Sequence, residues 1–157
     1  MSERVTLLVG TMTGTAQLVA EEVAQVLAAA GFAPVVQMME DATPAVFEPG
    51  GVYLVVTSTY GNGDVPDNAR ALFEALQTER PDLSEVVYGV VALGDQTYKA
   101  TFCNGGRQFD ALLTELGARR AGAPMMHDAS GGTLAEDVAC DWAGDWISRE
   151  LAPARAA

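Results

Sequence analysis

The spacing of apolar and polar positions changes period several times along this chain. "VTLLV" (Val5–Val9) is a short apolar run halted at Gly10, the pattern of a strand buried on both faces. From Thr15 to Ala30 the spacing turns helical. Val19, Val23, Val26 and Ala30 form one stripe, while Gln17, Glu21 and Gln25 fall on other faces. Gly31 supplies a C-terminal cap. Further strands are predicted at Ala33–Met39, Gly51–Ser58, Val86–Leu93 and Ala118–Met126. Helices are predicted at Asn68–Glu79, at Gly105–Gly117, and from about Ala135 to Leu151. The third helix should bury Phe109, Leu112, Leu113 and Leu116. The closing helix sets Val138, Trp142 and Trp146 on one face as core anchors. The tail from Ala152 onward should fray.

Strands alternating with helices imply an α/β fold: a doubly wound, five-stranded parallel sheet with helices on both faces. In such a sheet ligands bind beyond the carboxyl ends of the strands, at the topological switch. The loops after strands one, three and four are therefore the places to look for chemistry. A length of 157 residues fits one domain, residues 1–157, with no repeat or low-complexity linker.

Charge narrows the classes. There are 21 acids against 9 bases, with Lys99 the sole lysine, giving a formal net charge of −12. That balance repels nucleic acid and anionic lipid and favours a basic protein surface. Cys103 and Cys140 are too far apart for a CxxC site, and His127 is the one histidine, so no metal cluster is expected. Glu3 and Arg4 lead into a short apolar run unlike a signal peptide, and no apolar stretch approaches a membrane span. The expected location is the cytoplasm, with both thiols free.

The first loop, "GTMTGTA" (Gly10–Ala16), sets hydroxyls of Thr11, Thr13 and Thr15 around Gly14, where a helix begins. Helix-opening N–H groups and hydroxyls can hold a phosphate without a lysine. A ligand-free Thr/Gly helix cap explains this loop alone equally well. A Walker loop is excluded because no Gly-Lys-Ser/Thr follows, and G-x-G-x-x-G is absent. Between Arg4 and Arg70 there is no lysine or arginine, but there are seven acids. A phosphate bound here would rely on dipoles and donors. The second loop, "STYGNGDVPDNA" (Ser58–Ala69), places Tyr60 just past a buried strand. Its Gly61–Asn62 peptide joins two residues that tolerate positive φ. The third, "LGDQTYKATFCNGG" (Leu93–Gly106), brings a second tyrosine, Tyr98. Two tyrosines on separate switch-point loops suit a flat ring held between them.

Together these motifs resemble the flavodoxin family over essentially the whole chain. The likeness is to short-chain, stand-alone MioC-type proteins and to the FMN-binding domain of diflavin reductases. The resemblance implies FMN as cofactor. Thr11, Met12, Thr13, Gly14, Thr15 and Ala16 would bind its phosphate, and Tyr60 and Tyr98 would flank its ring. Backbone of Ser58, Thr59, Gly61, Gly94 and Asp95 would bond the ring edge, with Asn62, Gly63, Leu93, Phe102 and Cys103 beside it. Asp128 would match an acid near the ring. It further implies an electron carrier between an NADPH-dependent flavodoxin/ferredoxin reductase and an acceptor such as a radical-SAM enzyme, a cytochrome P450 or a reductive synthase. A flip of the Gly61–Asn62 peptide would adjust a hydrogen bond to the ring as it takes one electron. One acid ~6 Å from the flavin would oppose the second electron by roughly 3 kcal/mol, on the order of 100 mV. The competing expectation is an FMN-dependent NAD(P)H:quinone or azo reductase, which would need a pocket for which no spare segment stands out. A receiver-like signalling domain is excluded, since Gly10-Thr11 stands where its acids belong.

Overall fold

The computed structural model describes residues 4–11, 14–48, 50–58, 65–94, 103–128 and 131–151. The strands are β1 (Arg4–Gly10), β2 (Ala33–Met38), β3 (Gly51–Thr57), β4 (Val86–Gly94), β5 (Arg119–Arg120) and β6 (Met125–Asp128). The helices are α1 (Thr15–Ala29), α2 (Asp67–Glu79), α3 (Asn104–Glu115) and α4 (Ala135–Trp146). All strands are parallel, in the order β2-β1-β3-β4-β5, and β6 also pairs with β4.

Alternation along the central strands feeds two cores. Val5, Leu7 and Val9 of β1, Val52, Leu54 and Val56 of β3, and Val91 of β4 pack against α1 and α4. Leu8, Tyr53, Val55, Tyr88, Val90 and Ala92 face the other way, against α2 and α3. With both faces covered, these strands can be apolar at nearly every position. Phe109, Leu112, Leu113 and Leu116 are buried as the helical spacing requires.

Three details differ from the sequence reading. The last strand is two pieces, because Gly122 takes a positive φ of 76° and Pro124 lacks an N–H for the ladder. The buried stripe of α1 is Ala16, Val19, Ala20, Val23 and Leu27; Val26 is half-buried and Ala30 exposed. Small alanines let α1 sit close to the sheet, which rotates the stripe toward them. The closing helix ends as α-helix at Trp146 and continues as a π-turn over Ile147–Leu151. Trp146 is buried, donating from Nε1 to Ala121 O at 2.8 Å, while Trp142 is only partly covered and stacks on it at 5.3 Å. Gly31, at φ 94°, follows α1 as its cap, and Phe32 N donates to Leu27 O at 3.0 Å.

Candidate functional site

The carboxyl ends of β1, β3 and β4 lie side by side, so the three loops singled out from sequence leave the sheet at one edge. Gly10 is paired with Thr57, and Ser58 N donates to Gly10 O at 3.0 Å, which locks the first two loop origins together. On the far side Gly94 is in register with Asp128 at the end of β6. The parallel sheet thus gathers Thr11, Ser58, Gly94 and Asp128 from four strands.

The first loop is organised by its own donors. Gly14 N donates to Thr11 Oγ1 at 2.9 Å, and Gly14 takes a left-handed φ of 92°. Among the described residues, a Cβ on Gly14 would meet nothing within 4 Å. The α1 ladder opens with Leu18 N donating to Gly14 O at 3.0 Å. The N–H groups of Ala16 and Gln17 precede that ladder, no side chain among the described residues caps the helix, and its first turn holds no acid. Such an end presents positive partial charge to an anion. Thr11 Oγ1 has one duty the sequence did not show, since it shapes the loop by accepting a bond; its O–H still has a proton to give.

Next to this end is a cavity of about 220 Å³, lined by Thr15, Leu93, Gly94, His127, Thr133 and Glu136 among others. It runs from the start of α1 to the end of β4, and no lysine or arginine lines it among the described residues. His127 and Thr133 were not anticipated; His127 Nε2 and Thr133 Oγ1 are 2.9 Å apart. Ser58 Oγ is buried with no hydrogen-bond partner among the described residues. A buried hydroxyl left in that state costs free energy unless a ligand supplies the partner. Among the described residues, the space at Gly14, the helix end without a side-chain cap and the Ser58 hydroxyl without a partner fit a phosphorylated ligand with polar atoms along its length.

Cys103 is a packed thiol. It is fully buried at a left-handed φ of 55°, with Sγ 3.4 Å from Ala92 O and 3.7 Å from His127 O. Its backbone is so near that a Cβ on Gly94 would lie 2.5 Å from Cys103 N. Burial is the main cause pushing this thiol up to about 11 from an ordinary 9.0. The folded chain therefore keeps a proton that the unfolded chain releases. This stability is complete below pH ~9 and is lost as pH rises toward about 11. Thermal melts from pH 8 to 11 should fall more steeply for the parent than for Cys103→Ala, and parallel slopes would refute the assignment. Met12, Thr13, Thr59, Tyr60, Gly61, Asn62, Gly63, Asp95, Tyr98 and Phe102 lie outside the described residues. Among the described residues no cluster of His, Cys, Asp and Glu could hold a metal ion, and no helix is long and apolar enough to cross a membrane.

Comparison with known proteins agrees with this geometry. The family model described as Flavodoxin matches residues 7–143. The chain is 37% identical to Protein MioC of Escherichia coli strain K12 over 147 residues, 92% of this chain and 96% of that one. It is 42% identical to flavodoxin YqcA of the same strain over 140 residues, 88% and 92% of the two chains. A mutant flavodoxin from Pseudomonas aeruginosa superimposes with a TM-score of 0.84 at 33% identity, covering 94% of this chain and 98% of that one. The order 2-1-3-4-5, the loop cluster and these matches agree: the chain belongs to the flavodoxin family, FMN-carrying proteins of electron transport.

Proposed function

We propose that this chain works as a single domain in the cytoplasm, taking electrons from an NADPH-dependent flavodoxin/ferredoxin reductase and delivering them to a separate redox enzyme. The observation that carries the reading is the acid-free start of α1, without a side-chain cap, beside a cavity that no lysine or arginine lines among the described residues. Bound FMN would supply one-electron redox chemistry. The N–H groups of Ala16 and Gln17, with the threonine hydroxyls of the first loop, would hold its phosphate. Ser58 Oγ would bond along its length, and the second and third loops, with Tyr60 and Tyr98, would enclose its ring. Holding a dianion by dipoles adds no positive charge at the phosphate, so the acid at Glu136 on the cavity wall would discourage full reduction of the ring. An acid-rich surface with net charge −12 then meets a basic partner.

A sulfite reductase [NADPH] flavoprotein alpha-component of Bacillus subtilis strain 168 is 40% identical over 121 residues, 76% of this chain but 20% of that protein. There a flavodoxin-like segment occupies part of a longer NADPH flavoprotein, which supports a reductase as the electron source here. Which acceptor follows, whether radical-SAM enzyme, cytochrome P450 or reductive synthase, is open to direct trial. The test is NADPH oxidation by the FMN-loaded protein. Alone, with a quinone or azo dye, it should be negligible, and with a flavodoxin reductase it should be fast. Rapid turnover by the protein alone would instead establish the quinone or azo reductase reading.

Charge-guided docking carries its own prediction. Raising ionic strength from about 0.01 to about 0.15 M shortens the screening length from about 30 to about 8 Å. Stopped-flow transfer from the reductase should slow by about tenfold or more across that range. A rate indifferent to salt would contradict electrostatic docking.

A further inference from the structure

Asn68 is the second residue of α2, yet it does not cap that helix, which starts after Pro66 without a side-chain cap. Its carboxamide instead reaches the first loop. Asn68 Oδ1 accepts from Thr11 N at 2.8 Å, and Nδ2 donates to Val9 O at 3.2 Å. These two backbone groups flank Gly10, whose own carbonyl points the opposite way, toward Ser58. In a parallel ladder the groups on either side of such a residue face the other neighbouring strand. That neighbour is β2, which pairs with Val9 through Met38 and then turns into a 3₁₀ segment at Met39–Asp41. The side-chain amide of Asn68 thus stands where the next peptide of β2 would have been. It offers one acceptor and one donor, as a peptide does.

We propose that Asn68 is the positioning residue of the phosphate loop, extending the β-ladder by one side-chain amide so that Thr11 is held and the start of α1 aims at the ligand. The inference rests on the FMN reading. Thr11, held at its N–H, in turn accepts from Gly14 N through Oγ1, and Gly14 sets the first turn of α1. A chain of hydrogen bonds therefore runs from α2 to the N–H groups that face the phosphate. Asparagine does this without charge, whereas lysine or arginine here would add the cation that the segment between Arg4 and Arg70 otherwise lacks.

The test compares FMN with riboflavin, which has the ring but no phosphate, by fluorescence titration of apoprotein. Asn68→Ala should weaken FMN by about tenfold, the size of one well-made hydrogen bond, while riboflavin changes less than about twofold. Asn68→Asp keeps an acceptor for Thr11 N but sets an oxygen against Val9 O, so it should show the same selective loss. Retained riboflavin affinity shows that each variant is folded. Equal losses for both flavins would make Asn68 merely structural and overturn the proposal, as would an unchanged FMN preference in both variants. A parent protein that binds neither flavin would overturn the FMN reading itself, and this inference with it.

Discussion

Gly10→Ala is expected to lower the unfolding free energy by about 1–3 kcal/mol and to weaken FMN binding by about tenfold, the size of one lost hydrogen bond. A Cβ at this position would lie 2.6 Å from Thr57 Oγ1, 3.1 Å from Met39 Sδ and 3.2 Å from Ala69 Cβ. The methionine can yield. Ala69 cannot without moving α2, and Thr57 is fully buried with its hydroxyl donating to Ser58 O at 3.1 Å. Relief must come from separating β1 from β3 or from α2. Either movement strains the Ser58 N to Gly10 O bond that joins the first two loops. Urea unfolding of the apoprotein reads the first effect and FMN titration the second. If stability fell while FMN affinity held, the two loops would not be coupled through Gly10.

Gly106→Ala reverses an ordinary expectation. Alanine in a helix interior normally improves on glycine by about 1 kcal/mol. Here the added Cβ would stand 2.4 Å from Ala92 Cβ and 3.2 Å from Ala92 Cα, against the strand itself. The helix must move off β4, and the net loss should be about 1–3 kcal/mol. The Ala92→Gly, Gly106→Ala double variant removes the opposing methyl and should recover much of that loss. A single variant as stable as the parent would mean that α3 is not pressed against β4 as the structure shows.

These contacts mark where the sequence stopped being informative. Apolar runs such as Leu7–Val9 and Val90–Leu93 declared buried strands because both their faces are covered, and Phe109 and Leu113 declared a helix face. The pattern from Gly105 to Gly117 predicted a helix but no need for glycine at 106, since that need comes from Ala92, distant in sequence. The break in the last strand was signalled by Gly122 and Pro124, which the apolar pattern from Ala118 to Met126 masked. The π-turn at Ile147–Leu151 keeps the apolar spacing of a helix, so no pattern separates the two.

The site divided the same way. Its loops were legible because threonine, glycine and tyrosine clusters stood directly after buried strands. Residues that act by reaching across the fold were not. Asn68 looked like a helix start, and its partners Val9 and Thr11 are 59 and 57 positions away. His127 looked like an isolated histidine until β6 brought it to the cavity edge beside Thr133. Thr11 looked like a phosphate donor, and its second role as an acceptor for Gly14 N depends on a turn geometry no motif encodes.

The central claim is that dipoles and uncharged donors hold FMN in acidic surroundings that favour one-electron steps. The most direct measurement is an anaerobic, stepwise reduction of the FMN-reconstituted protein followed by visible absorbance. A long-wavelength band that grows to a maximum at half reduction and then fades is the predicted result. Direct bleaching with no such band at any stage would contradict it.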